Sequence, residues 1–267
     1  MAGNTSVFVL LTDFGLADPY AGQLKAALFS RAPTVPILDL SHGVPPFAVH
    51  TGAFFLASSL PFYPDGSVFL CVVDPGVGSP RDLLLVRGKQ HTLLGPDNGL
   101  LSLACKVMER DGPLDAWTLN FPASIAAGTF HGRDILAPAA AALALGAKPS
   151  SLGTRLERSL FQPEWAKPAY GVDAVTCTVL HVDVFGNCLC NLPAAADLPE
   201  GQQYRLDAAG KTVDLACAGH YAELAPGRAG LIRGSQGYCE IACNGSSASA
   251  AFGLVPGCAF RILSGVA

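Results

Sequence analysis

The stretch Val72-Val73-Asp74-Pro75-Gly76-Val77-Gly78-Ser79-Pro80-Arg81 places opposite charges at the two ends of a turn rich in glycine and proline. The apolar run at 68–73 has the composition of a buried strand. Proline fixes one backbone angle of the turn, and glycine allows conformations and close approaches that a side chain would block. Ligands collect at the carboxyl ends of strands in open α/β sheets, so we expect Asp74 and Arg81 to face each other at such a site. The alternative is an ordinary turn with a surface ion pair.

The composition limits the class of protein. The 267 residues allow one large domain or two smaller ones. Charged residues make up 14% and apolar residues 50% of the chain, against roughly 25% and 45–50% in typical soluble domains. This low charge indicates that part of the surface is buried against copies of the same chain. The formal net charge of −4 argues against a nucleic-acid partner, which requires a basic face.

Location and redox state are predicted from what the sequence lacks. There is no apolar run of 18 residues and no basic region before the first apolar run, so we predict neither a membrane span nor a signal peptide. The nine cysteines are scattered and form no CxxC pair. We therefore expect reduced thiols in the core of a cytoplasmic protein, in preference to a metal site.

Strands and helices alternate through the first part of the chain, which predicts an α/β domain over 1–162 with a mostly parallel sheet. Asp18 followed by Pro19 is typical of an N-cap and a first helical position. The predicted strands lie at 7–11, 35–40, 68–73, 83–86, 92–94 and 117–120. The strands at 83–86 and 92–94 are expected to form a hairpin. Further helices are expected at 50–60, after 95–100 and at 135–145.

The pattern changes after a linker predicted at 163–171. From 172 to 267 the apolar runs are short and bounded by turn residues, which is typical of a small β domain, and a barrel is expected. No helix is predicted there. The expected strands lie at 172–182, 204–206, 212–215, 230–232, 238–242 and 259–263.

Several polar or aromatic side chains stand at predicted strand ends or helix starts. Asp13 follows the first strand and has no structural role in the pattern, whereas capping is the preferred role of Asp18. Phe47 follows two prolines and could form a wall for a flat ligand. His131 precedes an Arg-Asp pair, so it could belong either to a structural salt bridge or to the functional site.

Seven segments in order resemble the S-adenosyl-L-methionine hydroxide adenosyltransferase family, relatives of the fluorinating and chlorinating enzymes. The resemblance implies an N-terminal α/β domain, a C-terminal β-barrel and a homotrimer whose active site forms between neighbouring subunits. The segments are TDFGLADPY (12–20), DLSHGVPP (39–46), VVDPGVGSPR (72–81), GPDNGLLS (95–102), TFHGRD (129–134), DVFGN (183–187) and GSQGYCEIACN (234–244).

The resemblance also implies a reaction, in which S-adenosylmethionine and water give adenosine and L-methionine without a cofactor or metal. The family's catalytic Asp, Arg and His correspond to Asp74, Arg81 and His131. In the halogenating relatives the first position is not acidic and the histidine is replaced, so this chain resembles the hydrolases. A water held by a carboxylate and an imidazole can lose a proton as its oxygen bonds to carbon.

Binding roles follow from the resemblance position by position. Asp13 corresponds to the carboxylate that accepts from the ribose hydroxyls, and Phe47 to a ring that stacks on the nucleoside. The halogenases have arginines where this chain has Gln236 and Cys243, and an aromatic where it has Leu189. The full expected substrate-binding set is Asp13, Asp18, Phe47, Gly132, Asp183, Asn187, Ser235, Gln236, Tyr238 and Gly245.

Three other functions remain open from the residues. Carboxylates and imidazoles at several strand ends could instead hold two metal ions for a hydrolytic reaction. The chain could bind S-adenosylmethionine or adenosine without catalysis. It could also form a halogenated nucleoside, which the acidic residue and the histidine disfavour. The residues of the metal alternative are Asp13, Asp18, His42, Asp74, His131 and Asp134.

Overall fold

The computed structural model of the protein describes residues 7–122, 128–197 and 203–264. The chain separates after Pro163 into two compact units. The first is an α/β unit and the second a β-barrel, which confirms the predicted fold class. The segment predicted as a linker contains a 3₁₀ turn, Glu164–Ala166, and a two-residue strand that joins the barrel sheet.

A seven-stranded sheet forms the centre of the α/β unit, in the order β2-β1-β3-β5-β4-β6-β7. Strands β2, β1, β3 and β5 run parallel, and β4, β6 and β7 extend the sheet by antiparallel pairing. Its central strands are apolar and fully buried, as sheets covered by helices on both faces require. The strands are β1 Phe8–Thr12, β2 Ile37–Ser41, β3 Val68–Val72, β4 Leu83–Arg87, β5 Thr92–Pro96, β6 Asp115–Leu119 and β7 Gly153–Arg155.

Helices connect these strands. The α/β unit contains α1 Tyr20–Phe29, α2 Val49–Ser59, α3 Ser102–Met108, α4 Ala137–Ala144 and α5 Pro149–Leu152. The Ala-rich helix predicted at 135–145 begins as a π-helical turn, Gly132–Leu136, that continues into α4. One buried cluster joins α1 and α4 to the sheet, because both helices turn small or branched apolar side chains toward it.

The α/β unit differs from the prediction at the start of α1 and at one edge strand. Pro19, and not Asp18, is the N-cap of α1, and no side-chain capping hydrogen bond is present. The helix therefore begins one residue later than predicted, with the Gln23 amide donating to the Pro19 carbonyl. The hairpin of β4 and β5 is confirmed. The short edge strand β7 was not predicted, because three residues carry too little pattern.

The second unit is a closed barrel of seven strands, in the order β10-β14-β13-β12-β11-β15-β9, closed by pairing of β9 with β10. Strand β8 pairs antiparallel with the first half of β9. Strand β10 was not predicted as a separate element. The strands are β8 Ala169–Tyr170, β9 Ala174–Val182, β10 Cys188–Pro193, β11 Gln203–Ala208, β12 Lys211–Ala218, β13 Ala229–Arg233, β14 Tyr238–Cys243 and β15 Ala259–Ser264.

The expectation of no helix in this unit is wrong, because α6 spans Ala248–Phe252. It is a single short helix held by its ends. The Ser247 side chain accepts from the Ala250 amide at 3.1 Å, and Gly253 ends the helix in a left-handed conformation. Five residues are too few for a helical apolar period to appear in the sequence.

The cysteines have the predicted character. All nine are free thiols, eight of them buried and Cys258 half-buried. Most of them lie in the barrel core, where they pack as small apolar side chains. Across the described part of the chain, no helix has both the length and the apolar character needed to cross a membrane.

A core truncation tests the importance of the parallel sheet for stability. Leu10 is fully buried in β1, between β2 and β3. We expect Leu10→Ala to lower the free energy of unfolding by about 2–5 kcal/mol, because the lost contacts leave a cavity. Leu145→Ala is the matched control, since Leu145 is 73% exposed, and its effect should stay within about 0.5 kcal/mol. Urea denaturation followed by circular dichroism measures both, and equal losses would contradict the expectation.

Candidate active site

The loop after β3 folds Asp74 and Arg81 face to face, as predicted. The Arg81 Nε donates to Asp74 Oδ1 at 2.7 Å, and its Nη2 donates to Asp74 Oδ2. Both side chains are nearly buried: the Arg81 side chain is 10% exposed and the Asp74 side chain is 6% exposed. Two turns shape the loop, through hydrogen bonds from Val77 to the Asp74 carbonyl and from Ser79 to the Gly76 carbonyl. This bidentate ion pair is buried, so the alternative of an ordinary turn with a surface ion pair is excluded.

His131 joins this pair. Its Nδ1 lies 3.1 Å from Arg81 Nη2, and the residue is 4% exposed at the start of the π-helical turn. Arginine has no acceptor, so Nδ1 must accept this hydrogen bond and the ring proton of a neutral His131 belongs on Nε2. The structure thus brings the three predicted catalytic side chains together in one contact set.

The turn after β1 carries Asp13, and Asp13 holds Phe47. The Phe47 amide donates to Asp13 Oδ2 at 3.0 Å. Phe47 has a φ of +67°, a left-handed conformation that is unfavourable for a residue with a Cβ, and its ring is 71% exposed. Burial raises the pKa of the Asp13 carboxyl; the Phe47 amide opposes the rise, and the nearby Asp74 charge adds to it. The Phe47 ring is therefore presented to solvent on a strained backbone.

The remaining N-terminal positions have different surroundings. Gly132 is buried, and a Cβ there would lie 3.1 Å from Val72 Cγ2 at the end of β3. Its role in the structure is close packing of the helix start against that strand. Asp18 is exposed just before α1. Asp134 forms a salt bridge with its neighbour, accepting from Arg133 Nε at 2.7 Å and Nη2 at 2.9 Å.

Within the barrel unit, Asp183 and Asn187 form one tight turn between β9 and β10. Asp183 Oδ1 accepts from the Phe185 and Asn187 amides at 2.9 Å, and its Oδ2 accepts from Asn187 Nδ2 at 3.0 Å. Gly186 is required there, because its φ is +85° and a Cβ would lie 2.1 Å from Ser247 Oγ. The turn is thus rigid, with Phe185 76% exposed at its tip.

This turn borders a cavity of about 530 Å³, which is lined by one further predicted position, Gly245, and by residues that were not predicted. Its lining residues are Asp183, Phe185, Asn187, Tyr221, Cys243, Asn244, Gly245, Ser246 and Ser247. Ser235 and Gln236 lie instead in the exposed turn between β13 and β14, and Tyr238 begins β14. Gly245 follows the opposite end of β14.

Sequence reasoning missed Tyr221 and Glu240. The Tyr221 hydroxyl donates to Glu240 Oε1 at 2.5 Å, and Tyr221 lines the cavity. Glu240 is 5% exposed, and burial raises the pKa of its carboxyl. The available signal was an acidic residue within the otherwise apolar run of β14. Tyr221 lies in a 3₁₀ turn, Tyr221–Glu223, whose sequence carries no comparable signal.

Two residues of the metal alternative form other contacts. His42 contacts Thr12 and Asp39, and Asp134 pairs with Arg133. Within residues 7–122, 128–197 and 203–264, no three His, Cys, Asp or Glu side chains are placed to hold a metal ion.

Comparison with known proteins assigns the class to which this fold and site belong. Residues 8–153 match the sequence model of the SAM hydroxide adenosyltransferase N-terminal domain, and residues 177–261 match that of the C-terminal domain. The chain belongs to the SAM hydroxide adenosyltransferase family, which confirms the resemblance found in the seven segments.

Individual relatives agree with this assignment. The chain is 37% identical over 263 residues to an (R)-S-adenosyl-L-methionine hydrolase of Thermus thermophilus, covering 95% of this chain and 98% of that protein. It is 35% identical over 266 residues to the protein of the same name from Salinispora tropica, covering 95% and 96%. A fluorinase of an Actinoplanes species is 26% identical over 181 residues, covering 58% and 60%. The crystal structure of an uncharacterized conserved protein from Thermotoga maritima superposes with a TM-score of 0.80 at 30% identity, covering 96% and 100%.

The strained Phe47 gives a prediction that separates stability from ligand binding. Phe47→Gly removes the left-handed strain, whereas Phe47→Ala keeps it, and both remove an exposed ring. We expect the glycine variant to be more stable than the alanine variant by about 1 kcal/mol. Both should bind adenosine more weakly than the unsubstituted protein. Denaturant unfolding and calorimetry measure these effects, and an alanine variant as stable as the glycine variant would disprove the strain.

Proposed function

We propose that this protein hydrolyses S-adenosyl-L-methionine to adenosine and L-methionine. The observation that carries the proposal is the buried contact set of Asp74, Arg81 and His131. The names of relatives at 35–37% identity, which cover nearly the whole chain, support it. Those names specify the R configuration at sulfur, and we extend this configuration to the substrate of the present chain.

The chemistry requires little from the protein beyond positioning. Water attacks the ribose C5′ in line with the C5′–S bond; a C–O bond forms as the C–S bond breaks, and the bonding pair leaves with sulfur. The leaving group is a neutral thioether, so it needs no acid, and we propose that no cofactor or metal takes part. Fixing the water in line with the bond can contribute several kcal/mol or more.

We assign the proton of the attacking water to Asp74. Nδ1 of His131 is occupied as the acceptor from Arg81, so a neutral His131 offers the Nε2 proton as a donor. The oxygens of Asp74 each accept from Arg81 and retain further lone pairs. In this assignment Asp74 orients the water and accepts its proton, His131 orients the water by donating to its oxygen, and Arg81 fixes both side chains.

Substrate binding is divided between the units. In the proposal Asp13 accepts from the ribose hydroxyls and the exposed Phe47 ring stacks on the nucleoside. The rigid Asp183–Asn187 turn contacts the methionine amino end and the adenosine region. Asp18, Gly132, Gln236, Tyr238 and Gly245 complete the surroundings, and Ser235 lies near the methionine carboxylate.

We further propose a homotrimer in which the α/β unit of one subunit and the barrel unit of its neighbour form each site. Large apolar side chains are exposed on the very loops that carry the site residues, which supports coverage by another copy. They are Leu16, Phe47 and Val77 in the first unit and Val184 and Phe185 in the second. A cytoplasmic location is proposed from the nine free thiols, since oxidising compartments favour disulfides.

Turnover of the purified, EDTA-treated protein tests the proposed reaction. Both sulfur epimers of S-adenosylmethionine are incubated in chloride-free and chloride-containing buffer, and the products are separated by chromatography. We expect adenosine and methionine in equal amounts from the R epimer, independent of chloride. A chlorinated nucleoside would instead indicate halogenation, and loss of activity with EDTA would indicate a metal-dependent hydrolase. Binding of the intact substrate without products would indicate a non-catalytic binder.

Substitution of the carboxylate tests its role. Asp74→Asn should lower the rate of adenosine formation by about 100- to 10,000-fold, because the water loses its orienting group and proton acceptor. Asp115→Asn is the matched control, since it also breaks an Asp–Arg pair, but an exposed one, and it should retain full activity. Retained adenosine binding by calorimetry shows that the Asp74→Asn protein is folded. Full turnover by Asp74→Asn would contradict the assignment of Asp74 as the proton acceptor.

Subunit mixing tests the shared site. Asp74→Asn affects the half-site of the α/β unit and Asp183→Ala that of the barrel unit, so each variant alone should be nearly inactive. When the two are co-expressed in equal amounts, about a quarter of the sites between subunits combine two intact halves. Activity near a quarter of the unsubstituted level is therefore expected in the mixed oligomer. No recovery in a verified mixed oligomer would place the complete site within one chain.

A further inference from the structure

A hydrogen-bonded network of four polar side chains leads from the surface to the turn that carries Asp13. Lys25 on α1 donates to Asp39 Oδ2 at 2.7 Å, and His42 Nε2 donates to Asp39 Oδ1 at 3.1 Å. The other ring nitrogen of His42, Nδ1, lies 2.7 Å from Thr12 Oγ1. Lys25 and Asp39 are partly exposed, whereas the His42 side chain is 2% exposed and Thr12 is fully buried.

The hydrogen bonds define a direction for the protons. Asp39 is a carboxylate and only accepts, so the Nε2 of His42 carries its proton toward it. When the ring is neutral, Nδ1 is then the acceptor of a hydrogen bond from the Thr12 hydroxyl. Thr12 Oγ1 in turn accepts the Phe14 amide at 3.2 Å. Each side chain of the network therefore has a hydrogen-bond partner, and such networks are rigid.

The backbone of His42 holds the same turn from its other end. The Gly15 amide donates to the His42 carbonyl at 2.8 Å. Thr12 and Gly15 flank Asp13 and Phe14, so one residue fixes both sides of the short segment that carries the carboxylate. Strands β1 and β2 are adjacent and parallel, and this arrangement places Thr12 beside the loop that follows β2.

We propose that His42 is a positioning residue that, through Thr12, orients the Asp13 carboxylate for recognition of the ribose hydroxyls. This inference depends on the proposed function, because Asp13 acts on the ribose only if a nucleoside is bound. His42 itself is buried beneath the turn and acts through Thr12 and Gly15, so no contact with substrate is assigned to it.

The test compares two nucleosides that differ only in the groups Asp13 recognises. Calorimetry measures the affinity of the full-length protein for adenosine and for 2′,3′-dideoxyadenosine, which lacks both ribose hydroxyls. Thr12→Val keeps the branched shape in the buried strand but removes the hydroxyl. We expect it to weaken adenosine binding by about tenfold while the affinity for the dideoxy compound stays unchanged. Thr12→Ser restores the hydroxyl and should restore adenosine binding.

Two substitutions of His42 separate its ring contacts. The amide of His42→Asn lies near the position of Nδ1 and can still accept from Thr12, whereas His42→Gln reaches the position of Nε2 and Asp39. We therefore expect His42→Asn to preserve adenosine selectivity better than His42→Gln. His91→Gln is the matched control, because His91 and His42 are both 5% exposed as whole residues, but His91 lies before β5, at the amino ends of the parallel strands. It should leave both affinities unchanged.

The outcomes separate this inference from the proposed function. Adenosine formation from S-adenosylmethionine by the unsubstituted protein establishes the function independently of the variants. If turnover is present but Thr12→Val weakens both nucleosides equally, the network only stabilises the fold and the positioning role is overturned. Equal affinities of the unsubstituted protein for the two nucleosides, with turnover present, would also overturn it. Absence of turnover and of adenosine binding would remove the function and the inference together.

Discussion

The burial of one ion pair constrains the rest of the α/β unit. Asp74 and Arg81 are almost completely removed from water, and each charge alone would be costly there. The cost is offset only if the guanidinium meets the carboxylate at two points, and the turns of the intervening loop provide that geometry. The loop in turn depends on β3, a fully buried strand in the parallel part of the sheet. The geometry of the Asp74–Arg81 pair therefore depends on the packing of β3 in the sheet.

Most of the fold could be predicted because its signals are local. Buried parallel strands are continuous apolar runs, and each was predicted to within a few residues. Elements with little local pattern were missed or misplaced: the edge strand β7, the five-residue helix α6 and the first turn of α1. In these elements tertiary contacts and capping decide the structure, and three to five residues carry too little periodicity to show it.

The site was predictable to the extent that it is continuous in sequence. Asp74 and Arg81 lie seven positions apart in one stiff loop, so their pairing could be inferred from the loop itself. The contact of His131 with Arg81 joins residues fifty positions apart, and only the resemblance to a family indicated it. The Thr12–His42 contact and the Tyr221–Glu240 contact had no such guide, because they depend on how neighbouring elements pair.

The geometry of β1 and β3 explains why the site suits a cationic substrate. Thr12 pairs with Val72, so the carboxylates of Asp13 and Asp74 follow the ends of two adjacent parallel strands. Arg81 neutralises Asp74, whereas Asp13 is stabilised by a backbone amide, and burial together with the Asp74 charge raises its pKa. A sulfonium bound nearby would favour the ionised form of Asp13. By linkage, substrate binding would then release the proton of Asp13 where it is still bound, and affinity would fall as the pH drops through the raised pKa. The carboxylate that we propose for recognition of the ribose would thus be most effective when the positive charge of the substrate is beside it.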